Sequence, residues 1–247
     1  MERIKFLTKD GVEIHGLYAE AESKNAPAVL LLHMMPAVKE SWEGFQEKLR
    51  EAGFQSLAID MRGHGESVWK NGERIDYKNF TDAEQQEKIL DVETAMRFLA
   101  ERGVESESVA VAGASIGANL ALQYQAEHSE IKAAVLLSSG VDYKGIKTEP
   151  LAMRVLPEQA VFLAGAKGDV RSSGPARQSP RLQALAGGAS CADMASVLFN
   201  ILPARDKKLK VFDGPEHGTD LFVTHPELMD EIVNWLGEIY ILRIPNF

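Results

Sequence analysis

Cysteine is nearly absent from this chain: its 247 residues contain one, Cys191. A single thiol excludes an internal disulfide and a paired-cysteine metal site, and it suits a reducing compartment. Metal-ligand spacing is missing too, since the six histidines are scattered and none opens an H-E-x-x-H pair. There is no G-x-x-x-x-G-K-[ST] cradle and no strand-borne G-x-G-x-x-G, so no nucleotide, cofactor or resident metal is expected. Positive charge is in deficit, with a net charge of −9, which argues against nucleic acid as a partner. No window approaches 18 uncharged apolar residues, so no membrane span is expected. Charges break every apolar run in Met1–Asp10, unlike a signal peptide. Repeats and low-complexity linkers are also lacking. These absences lead to the expectation of a cytoplasmic enzyme acting on a small molecule, with the oligomeric state left open.

What is present is an alternation of strand and helix patterns. Arg3–Thr8 and Val12–Ala19, split by Lys9-Asp10-Gly11, have the form of an antiparallel hairpin. Ala28–Leu32 is a continuous apolar run, as in a strand buried on both faces. Lys39 to Glu51 carries Trp42, Phe45 and Leu49 at helical spacing and ends at Gly53. After a strand at Phe54–Ile59, Thr81-Asp82-Ala83-Glu84 has the capping-box form and opens one long helix that stops at Gly103. Further strands are predicted at Val109–Ala112, Ile131–Leu137, Ala160–Leu163 and Leu209–Phe212, with a closing helix over Pro226–Tyr240. This order calls for one domain, residues 1–247, built on a mostly parallel sheet with helices on both faces.

The richest local signal is Gly113-Ala114-Ser115-Ile116-Gly117, a G-x-S-x-G between the strand Val109–Ala112 and a helical segment from Ile116. Strand, tight turn and helix make a nucleophile elbow that lifts a serine hydroxyl above the sheet, and glycines flank it because the turn leaves no room for Cβ atoms. A serine hydroxyl needs a base and a group that orients the base, expected in the order serine, acid, histidine beyond successive strand ends. His217 lies in the turn-rich loop Asp213–Asp220 after the last strand. Asp169 follows Ala160–Leu163, and Asp142, after the previous strand, is its rival for the acid. Asp213, Glu216 and Asp220 stand too close in sequence to His217 for that role and are read as solvated, as are His15, His128 and His225.

These motifs resemble the serine hydrolases of the α/β-hydrolase superfamily, of esterase or lipase type and of the size of the cap-less dienelactone hydrolases. The likeness runs nearly end to end. It includes Asp60-Met61-Arg62-Gly63-His64-Gly65-Glu66-Ser67, similar to a D-x-R-G-H-G-x-S loop, and Leu31-Leu32-His33-Met34-Met35-Pro36 at the position of the family's oxyanion loop. The resemblance implies an eight-stranded sheet begun by the N-terminal hairpin. It implies oxyanion donors at the backbone N–H of Ile116 and of Met35 (or Met34), with structural roles for His33 and the Arg62–Ser67 turn. Met34 stands where the family usually has glycine. Between Ser138 and Ala160 there is room for a loop and a short helix near Leu151–Val155 but not for a cap, so the site should be open, lined by Met34, Met35 and in reach of Met153. The expected activity is carboxylic ester hydrolysis on short acyl chains through an acyl-enzyme, with no cofactor and no metal. Thioesterase, lysophospholipase and lactone hydrolase chemistry use the same machinery. A non-catalytic binding protein is the alternative of a different class, disfavoured by the ordered Ser115, Asp169 and His217. Val170–Asp206, rich in Gly, Ser, Ala and Arg, finds no functional reading.

Overall fold

The computed structural model describes residues 1–170 and 189–242. Within it, the apolar runs become the central strands β1 (Glu2–Leu7), β2 (Val12–Ala19), β3 (Ala28–Leu32), β4 (Gln55–Ile59), β7 (Val109–Ala114), β8 (Ala133–Leu137), β11 (Ala160–Ala166) and β12 (Asp206–Phe212). Neighbours run in the order β12-β11-β8-β7-β3-β4-β2, with β1 pairing β2. All pairs from β12 to β4 are parallel, while β2 is antiparallel to both β1 and β4. Two short strands absent from the sequence reading, β5 (Trp69–Lys70) and β6 (Glu73–Arg74), pair with the start of β2 on the edge it also offers to β4, leaving β1 outermost, and bring the sheet to ten strands.

Alternate residues of each central strand feed two separate cores, as a sheet covered on both faces requires. Leu30 and Leu32 join Val111, Leu136 and Leu163 beneath α3 (Ile89–Glu101), α4 (Ile116–Glu127) and α6 (Cys191–Ile201). Val29 and Leu31 face the other way, joining Ala112, Val135 and Phe162 under α1 (Glu43–Glu51), α7 (Leu221–Thr224) and α8 (Glu227–Tyr240). The edge strand β12 carries Lys207, Lys208 and Lys210. Lys207 donates to the carbonyls of Phe199 and Leu202 at the end of α6, and Lys208 and Lys210 pair with Glu238 and Glu231 of α8.

The single long helix expected from Thr81 is in fact two. The capping box of Thr81 and Glu84 forms and opens α2 (Asp82–Gln86), but α3 begins only at Ile89. Between them the backbone tightens into i−3 bonds, Lys88 N–H to Gln85 O and Leu90 N–H to Glu87 O. The break has a tertiary cause. Arg62, buried, bonds Asp10, Glu87 and Asp91, and the tightened turn presents Glu87 and Asp91 to it from successive turns. Residues 138–159 hold a two-stranded ribbon, β9 (Asp142–Tyr143) with β10 (Ile146–Lys147), and α5 (Thr148–Ala152), so no cap domain rises there.

Candidate active site

Ser115 sits between β7 and α4 with φ 56° and ψ −120°, a conformation a serine adopts only when its surroundings force it. Its N–H donates to Leu137 O at 2.8 Å, and its carbonyl accepts from Ala118 N–H at 2.9 Å, so strand and helix both hold the turn. A Cβ on Gly113 would lie 2.0 Å from Gly117 O, and one on Gly117 would lie 2.3 Å from Leu32 O. The two glycines of the motif are therefore fixed by contact with each other and with the end of β3, as the sequence reading anticipates.

The loop after β12 comes to the same place. Gly218 has φ 58°, and a Cβ there would lie 2.7 Å from Met34 Sδ and 3.0 Å from Ala114 Cβ. Chain neighbours of His217 and of Ser115 thus touch, with the β3 loop beside them. Ser138, a residue the sequence reading passes over, secures this contact. Its Oγ accepts the Gly218 N–H at 2.9 Å while its own N–H donates to Ala164 O. Nothing in its sequence context marks it except its place directly after β8.

His217 is buried, and its Nδ1 lies 2.6 Å from Oδ2 of the buried Asp169. At that distance the proton of a neutral imidazole sits on Nδ1, so Nε2 keeps its lone pair. The rival, Asp142, bonds instead to the N–H of Gly145 at 2.7 Å and closes the β9–β10 turn. Asp213 is exposed and pairs with Lys167, as a solvated loop carboxylate should. Glu216 departs from expectation. It is half-buried and folds over Gly214, with Oε2 shielded from solvent and no protein partner among the described residues. His128 and His225 stack on Tyr124 and Phe212, and His15 pairs with Glu13. Cys191, the first residue of α6, brings its Sγ to 4.0 Å from His217 Nδ1.

The β3 loop is organised by His33. Met61 N–H donates to its Nε2 at 3.0 Å, so Nδ1 carries the proton and donates to Met34 O at 2.8 Å. Burial pushes its pKa down to about 4, so it stays neutral and this tautomer persists near pH 7. Because the Met34–Met35 peptide is trans, turning Met34 C=O toward His33 turns Met35 N–H the opposite way. Among the described residues no acceptor takes the N–H of Met35 or of Ile116. Met34 and Met35 are half-buried against opposite cores, whereas Met153 is exposed.

The D-x-R-G-H-G segment stitches this region together. Asp60 accepts bonds from Lys39 N, Lys39 Nζ and Glu66 N. Gly65 is required there, because a Cβ at its φ of 52° would meet Asp60 Oδ2 at 2.2 Å. His64 stacks on Tyr77 at 3.8 Å and near His33, with its pKa pushed down to about 2, mainly by burial. Of the Val170–Asp206 stretch, residues 171–188 lie outside the described residues. The remainder supplies α6, which packs on β11.

Residues 23–199 match a family model described as serine aminopeptidase, S33. A 61-residue segment is 43% identical to bifunctional epoxide hydrolase 2 of Sus scrofa, covering 25% of this chain and 10% of that protein. The chain thus spans about a tenth of that relative's length. Among solved structures, the esterase Pf2001 of Pyrococcus furiosus superposes with a TM-score of 0.69 at 18% identity over 96% of this chain and 91% of that one. The α/β-hydrolase GrgF of Penicillium sp. sh18 gives 0.73 at 14% identity over 97% and 98%. Acetyl xylan esterase of Paenibacillus sp. R4 gives 0.67 at 16% identity over 94% and 82%. At these identities the three superpositions speak for the fold.

Proposed function

Because the chain belongs to the serine aminopeptidase S33 family of hydrolases, we propose that it is a carboxylic ester hydrolase that works through Ser115, His217 and Asp169. The observation that carries the reading is the 2.6 Å approach of His217 Nδ1 to Asp169 Oδ2 beside a strained serine at a nucleophile elbow. His217 Nε2 takes the Ser115 proton as Oγ attacks the ester carbonyl, then returns it to the departing alcohol. Asp169 holds the imidazole in the Nδ1–H tautomer and stabilises the cation that forms. Water repeats the sequence on the acyl-enzyme and frees the acid. Thioesters, lysophospholipids and lactones pass through the same tetrahedral intermediate.

The oxyanion of that intermediate is held by the N–H groups of Ile116 and Met35, both without an acceptor among the described residues. Of the two candidates in the β3 loop, Met35 is favoured because Met34 C=O is committed to His33. Met35→Pro removes the donor and should raise the barrier by roughly 2.7–4 kcal/mol. Met35→Leu keeps the N–H and should stay near parental kcat. A folded Met35→Pro enzyme with full kcat would exclude this donor.

Residues 138–159 pack on α4 and α6 and carry no cap domain, which supports an open site. An open site buries little of a long acyl chain, so each added methylene should contribute well under the ~0.8 kcal/mol of full burial. Nitrophenyl acetate, butyrate, octanoate and palmitate test the reading together with an aminoacyl nitroanilide and a serine-reactive phosphonate. The expected result is labelling of Ser115 and a kcat/KM that is highest for short esters. Turnover of the nitroanilide alone would move the activity to amide bonds, and a steady climb to palmitate would reject the open site.

A further inference from the structure

We propose that Asp169, Cys191 and His217 form a binding site for a thiophilic divalent cation, best fitted by Zn2+, which switches off the hydrolase from within its charge-relay pair. The Asp169 and His217 pair has a third neighbour that ester hydrolysis does not employ. The donor atoms of Asp169, Cys191 and His217 all lie within 4.8 Å of one another, and all three residues are buried. Carboxylate, thiolate and imidazole make a borderline-soft donor set that suits Zn2+ or its heavier congeners and suits Mg2+ or Ca2+ poorly.

Local structure brings the thiol in. Cys191 is the first residue of the 11-residue α6, whose N-cap is Ser190, so it stands in the first turn, at the positive end of the helix. Gly165 on β11 lets the helix end approach, since a Cβ there would lie 2.7 Å from the Cys191 carbonyl carbon. Cys191 N–H donates to Asp169 O at 2.9 Å, which locks ligand to ligand through the backbone. No sequence motif announces the set, because the cysteine and the carboxylate stand 26 and 48 residues from the histidine.

Zn–N and Zn–O bonds of about 2.0–2.2 Å and Zn–S of about 2.3 Å place tetrahedral donors roughly 3.3–3.6 Å apart. Here His217 Nδ1 is 2.6 Å from Asp169 Oδ2 and 4.0 Å from Cys191 Sγ. A cation therefore needs the carboxylate to withdraw by under about 1 Å and the sulfur to close by about half that, with water as the fourth ligand. Charge balances, since one carboxylate and one thiolate neutralise the dication in a buried place.

The proton accounting explains the inhibition. Coordination takes the lone pair of Nδ1, so the imidazole proton moves to Nε2, and the thiol proton leaves to solvent. A histidine protonated on Nε2 and bound to metal on Nδ1 has no lone pair left to accept the Ser115 proton. The inhibitory half of this proposal rests on the triad reading; the binding half does not.

The test uses the full chain and Zn2+ alone, in competition with a chromogenic chelator, with nitrophenyl acetate hydrolysis followed in parallel. The expected result is one Zn2+ per chain and at least a tenfold loss of activity, restored by excess chelator. Affinity should rise about tenfold per pH unit below the thiol pKa, because one proton is displaced. Cys191→Ala and Cys191→Ser should keep the metal-free activity and bind at least tenfold more weakly. Cd2+ should give a thiolate charge-transfer absorption with the parent chain and none with either variant. Equal Zn2+ affinity in parent and both variants, or no binding by the parent, overturns the site. Binding without inhibition, in a chain whose Ser115 reacts with the phosphonate, overturns the inhibitory role. A chain whose Ser115 does not react overturns the triad reading instead and leaves Cys191-dependent binding standing in support of the site.

Discussion

Ser115→Ala should lower kcat on a short-chain ester by roughly 10⁵–10⁶-fold and leave KM nearly unchanged. The size follows from the chemistry: without the Oγ there is no acyl-enzyme, and only binding and the oxyanion donors remain to assist water. The fold should survive, because alanine keeps the N–H bonded to Leu137 O and the carbonyl bonded to Ala118 N. His217→Ala should give a loss of similar size, and the double variant should be little worse than either single one, as residues that act as a unit are strongly non-additive. Rates per mole of chain for all three, set against a burst-titrated parent, decide it. Turnover near the parental rate in Ser115→Ala would place the nucleophile elsewhere.

Asp169→Asn should cost about 10⁴-fold in kcat with a normally folded chain. An asparagine can turn its amide N–H toward His217 Nδ1, which then becomes the acceptor, so the proton shifts to Nε2 and the base is lost. The geometry at stake is the 2.6 Å contact, which an amide preserves in shape while reversing its polarity. Asp142→Asn is the comparison. Among the described residues Asp142 accepts the Gly145 N–H in its turn, and an amide oxygen can still do so, so kcat should remain within a few-fold of the parent. A large loss in Asp142→Asn with Asp169→Asn unaffected would transfer the acid's role.

Much of this architecture was legible because burial on both faces writes itself as uninterrupted apolar runs. Ala28–Leu32 is buried at every residue and matches its apolar run end to end, while the run expected over Ile131–Leu137 becomes a strand only from Ala133, after the exposed Lys132. The elbow was legible for a different reason: the motif's glycines answer a local steric demand, visible between Gly113 and Gly117 without knowledge of the rest. Where the reading fell short, the determinant was tertiary. Lys88 and Glu87 have helical propensity, and the interruption between α2 and α3 is imposed by Arg62, 25 residues upstream of Glu87. The two-residue strands β5, β6, β9 and β10 are too short to carry any period. Ser138 and Cys191 reach the site by crossing 80 and 26 residues of chain to the His217 loop, distances over which spacing says nothing. Glu216 was placed in solvent by its residue type and its loop, yet Gly214 leaves a hollow into which its carboxylate folds.

The lysines of β12 bear on how copies of this chain meet. An outermost strand offers a row of unpaired main-chain groups to any other extended segment, the usual starting point for fibrous self-association. Another strand laid along β12 would have to pass Lys207, Lys208 and Lys210, two of them already tied to carboxylates on α8 and the third to the end of α6. At the opposite side the outermost strand is β1, where Glu2, Arg3 and Lys5 are exposed, with Arg3 paired to Glu66 and Lys5 to Glu13, so a newcomer meets charge there too. Both margins therefore resist lateral growth, and a crowded or partly unfolded population should be slower to polymerise through its sheet than the long apolar central strands alone would suggest.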